Sequence, residues 1–159
     1  MLLTSLIYPK KLIPQNAILF KSIHFRLITQ SQPYRPSASS FKDYELSCDW
    51  NLYSTAQKSR DIIGLQFKAG TTILKNKNEF FISSLYVEEN LNLDPKQSFQ
   101  HNPLFSFPKI KGKPNNRSHS IIIGNKEDKA AVKVRKKLAD NCKWEIFNDL
   151  EFERLRNNV

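Results

Sequence analysis

From Ile13 to Phe147 the chain alternates short apolar runs with breaks marked by Pro, Gly, Asn or Ser, a rhythm that predicts several strands and short helices. The segment SHSIIIG, residues 118–124, predicts the clearest strand, with three isoleucines in a row and a glycine to end it. Strand alternation puts His119, Ile121 and Ile123 on one face and Ser120 and Ile122 on the other; a sheet covered on both faces would bury all three isoleucines. Beyond Gly124, Asn125 is placed to cap a helix reaching about Asn141, with Asp128 at the third helical position. On it Ala130, Ala131, Val134 and Leu138 recur at helical spacing, which predicts an inward face. WEIF, residues 144–147, predicts a last strand, and NDLEFERLRNN a short amphipathic tail.

The first half carries weaker signals. NAILFKSIHFRLI, residues 16–28, fits one or two strands, or a short helix and then a strand. YELSCDW predicts a strand, and NLYSTAQKSRDIIG a turn and short helix capped by Ser54 or Thr55. IIGLQF and EFFISSLYV are the next apolar segments, joined by KAGTTILKNKN, a hairpin candidate. TQSQPYRPSASSF, residues 29–41, and the Pro-interrupted stretch 90–116 are expected as loops, the second long enough to be a binding loop. These elements predict an α+β fold: a small mixed or antiparallel sheet, curved towards a partial barrel, with one main C-terminal helix packed on it. The expected organisation is an N-terminal extension at 1–12, a single domain at 13–147 and a C-terminal tail at 148–159.

Length and composition fit that picture. A chain of 159 residues with 40% hydrophobic and 25% charged residues can bury one core. No run approaches the ~18 apolar residues that span a membrane, and a cytoplasmic protein is expected. Residues 1–42 contain no Asp or Glu but several Lys, Arg and Ser, the composition of a transit peptide, although the later part of that stretch is patterned like folded sequence. Cys48 and Cys142 have no metal-ligand spacing with the three histidines, so neither zinc nor a disulfide framework is indicated and no cofactor is expected.

The formal charge of +10 changes the list of partners, because a basic protein attracts nucleic acid and acidic proteins. The predicted C-terminal helix concentrates Lys126, Lys129, Lys133, Lys136 and Lys137, which are candidates for contacting an anion. They wrap the helix instead of forming one stripe, and no aromatic residues interleave for base stacking, so a solvated face explains them as well. The strand–Gly124–helix order lacks the G-x-G-x-x-G series, and Glu127 and Asp128 sit where a phosphate would rest. His119 beside Ser120 has no second matching His strand, as a two-histidine phosphoesterase would need.

Read together, IPQNAILFKSI, YRPSASSF, ELSCDWNLYSTAQKS, LDP and NRSHSIIIG resemble, in order, motifs of a family of small uncharacterised bacterial proteins. The family pattern runs I-P-x-x-A-x-L-F-R-x-I, R-P-S-x-x-F, L-S-V-D, D-P and N-P-x-H-A, and the resemblance spans about residues 13–140. Lys21 stands where the family has arginine and Arg117 where it has proline. No established activity comes with it. It implies a candidate cluster of Arg35, Ser37, Ser47, Asp49, Asn116 and His119, with His119 at a strand mouth near the Arg35–Ser37 loop and its ring partly exposed.

The reading that follows is a binding or interaction module with a protein partner, an accessory to a neighbouring gene product. The alternatives are a nucleotide-handling enzyme of ADP-ribosyl transfer or phosphoester type, and a nucleic-acid-binding protein. No complete catalytic constellation is legible, so the balance leans away from an enzyme. Lys21 further weakens the ADP-ribosyl alternative, since an ammonium cannot copy the bidentate grip of a guanidinium on a pyrophosphate.

Overall fold

The computed structural model describes residues 11–106 and 108–158; residues 1–10 of the expected extension lie outside the described residues. Seven strands are joined in one antiparallel sheet: β1 (Lys11–Leu12), β2 (Ile18–His24), β3 (Glu45–Trp50), β4 (Phe80–Tyr86), β5 (Ser98–His101), β6 (His119–Ile123) and β7 (Lys143–Ile146). Their order across the sheet is β1-β5-β6-β3-β2-β4-β7. Three helices pack on it: α1 (Ala56–Ile63), α2 (Val132–Asn141) and α3 (Asp149–Asn157). The fold is α+β as the patterning predicts, and the antiparallel sheet is open, with β1 and β7 at its edges.

Alternation along the strands sorts the two faces. Leu19, Ile23, Leu46, Cys48, Phe81, Leu85, Phe99 and Ile122 point to one side, where Val134 and Leu138 of α2, Phe152 of α3 and Phe41 complete the main core. Phe20 and Ile82 point to the other side and meet Ile63 of α1. Thr55 caps α1 by accepting from the Lys58 amide at 3.2 Å. Against the sheet α1 touches β2, β4 and β7, so a helix covers only half of that second face. The uncovered half, over β3 and β6, is where the site lies.

A second feature opens the sheet there. β2 follows β4 through seven register pairs but meets β3 at only two, Leu19↔Trp50 and Phe20↔Asp49. Past that seam β3 pairs on its other edge with β6, from Asp49↔His119 to Glu45↔Ile123. The two half-sheets therefore splay beyond Phe20 and Asp49, and a cleft opens between them.

Several expectations change. The stretch 90–116 is no structureless loop, because Ser98–His101 forms β5 and pairs with β6 and β1. A four-residue strand between prolines carries too little periodicity to be seen; its partner strand makes it. Lys11 and Leu12, assigned to the extension, form β1 on the edge of β5. The main helix starts at Val132, not after Asn125, whose side chain instead accepts from the Glu127 amide at 3.2 Å and donates to Asp128 at 2.9 Å. Asp128 is extended (φ −70°, ψ 158°), and a 3-10 turn at Lys129–Ala131 precedes the helix and leaves Ala130 exposed. Ile62 and Ile63 of IIGLQF close α1, with Gly64 at its C-cap. The tail segment is helix α3, which buries Phe152 among Tyr34, Phe81 and Phe147.

Candidate functional site

The cleft over the β2–β3 splay encloses about 670 Å³. Its floor is Phe20, Ser22, Ser47 and Asp49 from the strands, and one wall is Ser59, Ile62 and Ile63 of α1. Opposite stand Leu104, Phe105 and Ser106 with Gly112, Lys113, Pro114 and Asn116, and the Gln66–Lys75 hairpin closes the end. That hairpin exists as expected from KAGTTILKNKN: the Lys68 amide donates to Ile73 O, the Lys75 amide donates to Gln66 O, and Gly70 (φ 69°) makes the turn. It is tied across the cleft end by the Phe67 amide donating to Gly112 O at 3.2 Å. Gly112 has φ +80°, and the Phe67 ring lies directly where its Cβ would be, so only glycine fits.

Four of the six candidate residues, Ser47, Asp49, Asn116 and His119, line this cleft together. The other two do not. Arg35 reaches Asp140 of α2 at 3.4 Å, and Ser37 bonds Ser39 beside the 3-10 turn packed on α2, so both belong to the main-core side of the sheet. His119 is half-buried at the strand mouth, as expected, but its companions are Ser47 and Asn102 instead of the Arg35–Ser37 loop. The expectation failed because distance along a loop says nothing about which sheet face the loop crosses.

The geometry around His119 is specific. It stands opposite Asp49 in register, yet its ring leans to Ser47, the diagonal residue two places along β3. Asn102 grips it twice: the Asn102 amide donates to His119 O at 2.9 Å, and His119 Nδ1 lies 2.7 Å from Asn102 O. A carbonyl only accepts, so Nδ1 carries the proton. With the proton on Nδ1, Nε2 lies 3.2 Å from Ser47 Oγ and is placed to accept that hydroxyl's hydrogen. Asp49 is held elsewhere, with Oδ1 2.7 Å from Asn116 Nδ2 and 3.1 Å from Ser118 Oγ. Asn116 Oδ1 in turn accepts from the Ser118 amide at 3.1 Å, so one polar turn orients the carboxylate and starts β6. Arg117 braces that turn from outside, its guanidinium 4.3 Å over the Tyr53 ring, which stacks on His101 at 5.2 Å.

Charge in the cleft is lopsided. Its lining includes Lys21, Lys75 and Lys113 but a single carboxylate, Asp49. Burial, followed by the charge of Lys21, pushes the Lys75 ammonium below the usual lysine range, and its Nζ donates to Gln66 Oε1 at 2.9 Å. His24, also in the lining, faces Glu79 at 3.3 Å; burial lowers its pKa against the pull of that carboxylate. Lys75 and Asn102 were not singled out from sequence, where a lysine in a hairpin or an asparagine in a loop carries no signal of its own; Lys21 stood out only as the residue in place of the family's arginine.

The lysines proposed for anions fall on the other side. Lys129, Lys133, Lys136 and Lys137 are exposed on and before α2, across the sheet from the cleft, and Lys133 approaches Asp94 at 3.7 Å. Lys126 is not an anion contact: it is fully buried, its Nζ donating to Ile122 O at 2.8 Å, Tyr44 O at 2.9 Å and Gly124 O at 3.1 Å. Burial lowers its pKa to about 8.

Among the described residues no three His, Cys, Asp or Glu side chains gather in a group that could hold a metal ion, and no helix is long and apolar enough to cross a membrane. No protein-family model, curated protein or solved structure matches the chain.

Proposed function

We propose that this protein is a binding module for a small anionic ligand with an apolar or aromatic body, taken up in the cleft between the splayed half-sheets. The carrying observation is the cleft's composition: three lysines and one carboxylate set beside Phe20, Ile62, Ile63, Phe80 and Leu104. Its volume of about 670 Å³ lies within the range of about 300–1,000 Å³ usual for ligand pockets. An ammonium kept in a partly desolvated wall, as Lys75 is, attracts an anion more strongly than one in open water. Four of the lining residues come from the motifs that resemble those of the small bacterial proteins, which supports placing function here.

The test compares 1-naphthyl phosphate with 1-naphthol by isothermal titration at low salt. The phosphate is expected to bind in the micromolar to low millimolar range and the neutral alcohol at least tenfold more weakly. Lys75→Ala and Lys21→Ala are each expected to weaken the phosphate about tenfold, the value of one well-placed charge contact at about 1.4 kcal/mol. Equal binding of the two probes, or none by the phosphate, defeats the proposal.

A further inference from the structure

We infer that Ser47 and His119 form a nucleophile–base pair and that the cleft hydrolyses carboxylic esters whose acyl group carries a negative charge. The inference rests on the anion-binding reading of the cleft and adds a reaction to it. Three observations carry it. Ser47 Oγ is exposed in the cleft and 3.2 Å from His119 Nε2, within reach of hydrogen bonding. His119 is held by a third group, Asn102 O at 2.7 Å from Nδ1, which selects the tautomer whose free nitrogen faces the serine. That arrangement of nucleophile, base and orienting acceptor is what activated serines require. The backbone beneath is rigid, because Ser47 and His119 both sit on paired strands in the middle of the sheet and Ile121, next on the same face as His119, is buried.

The pair is also not needed to satisfy the fold. An exposed serine hydroxyl on a strand finds water without help, and Asp49, the direct cross-strand neighbour of His119, is bonded to Asn116 and Ser118 instead. Half-buried Ser37 and exposed Ser39 instead bond each other through their hydroxyls, which makes that pair an internal control.

The step balances without any further reagent. Ser47 Oγ attacks the acyl carbon while its proton passes to His119 Nε2, and negative charge on the acyl oxygen develops in a cleft whose lining carries Lys21 and Lys75. The carbon–oxygen bond to the alcohol breaks, and Nε2 returns the proton to the departing oxygen, leaving an ester on Ser47. Water then attacks that ester, gives its proton to Nε2, and releases the acid as the proton returns to Oγ. The products are one carboxylic acid and one alcohol.

The experiment uses 4-nitrophenyl hemisuccinate and the full chain, with nitrophenolate release followed by absorbance and the adduct located by peptide mapping. A burst of nitrophenolate with the acyl group on Ser47 is expected, and no acyl group on Ser37 or Ser39. Ser47→Ala is expected to abolish the burst and His119→Ala to slow acylation about 100-fold or more, the usual size of a general-base contribution. In the unaltered protein, 1-naphthyl phosphate is expected to protect Ser47, which tests the site without relying on a variant that folds. Acylation spread evenly over Ser37, Ser39 and Ser47, or acylation of Ser47 at an unchanged rate in folded His119→Ala, overturns the inference. Absence of an adduct while 1-naphthyl phosphate still binds also overturns it and leaves the binding module standing.

Discussion

Lys126 is the residue whose chemistry departs furthest from its sequence appearance. In a run of charged residues it looks solvated, but its ammonium lies inside on three carbonyls, between the end of β6 and the start of α2 at Val132. Lys126→Met should destabilise the fold by about 1–3 kcal/mol at pH 7, since it strands buried carbonyls without a donor. The pH dependence follows from burial. With a folded pKa of about 8, below the ordinary lysine value of 10.5, the unfolded chain binds more protons between those values. The stability of the native protein relative to Lys126→Met should therefore be constant below pH 8 and rise from pH 8 towards 10.5. Urea unfolding of both proteins at pH 7 and pH 9.5 checks this, and a flat difference contradicts it. Cys48 shows the same physics in a thiol: burial pushes its pKa up to about 12, so it should stay silent to a disulfide reagent at pH 8 until the protein unfolds.

Among the elements, those that frame the cleft depend on single positions. Gly112→Ala puts a methyl group into the Phe67 ring and strains a backbone at φ +80°. The expected result is a loss of about 1–3 kcal/mol together with weaker binding of 1-naphthyl phosphate, because Phe67 and the hairpin must shift. Thermal unfolding and titration of the same sample separate the two effects. Helix α3 is the opposite case, since it lies on the other face and buries Phe152, 1% exposed, under three aromatic rings. Phe152→Ala should cost about 3–5 kcal/mol, measured by denaturant unfolding. A cost below 1 kcal/mol would contradict the packing of α3 on the core.

For the whole molecule, the sheet separates two positively charged regions. Lys75 and Lys113 of the cleft lie on the face opposite the α2 lysines, so the two groups should act independently. Changing Lys133, Lys136 and Lys137 to Glu should leave the affinity for 1-naphthyl phosphate within about threefold, as expected for sites without shared partners. The same triple variant should reduce any salt-sensitive retention on RNA or heparin, whereas Lys75→Ala should not. Retention that follows Lys75 instead would make the cleft a polyanion groove.

What the residues determine by themselves is local. The isoleucine run makes β6, Thr55 starts α1, and the alternation of ELSCDW places Ser47 and Asp49 on the face opposite Leu46 and Cys48. Each of these is a property of a few neighbouring side chains with a short period. The cleft is not local. It arises because β3 leaves β2 after two pairs and joins β6, which aligns His119 diagonally with a serine 72 positions earlier in the chain. The motifs could name Ser47, Asp49, Asn116 and His119, but they named Arg35 and Ser37 equally, and only the packing of their loop against α2 sends those two to the other face. Lys75, Lys21 and Asn102 enter the site through the same long-range pairing, which depends on strand register and loop closure that no stretch of sequence encodes alone.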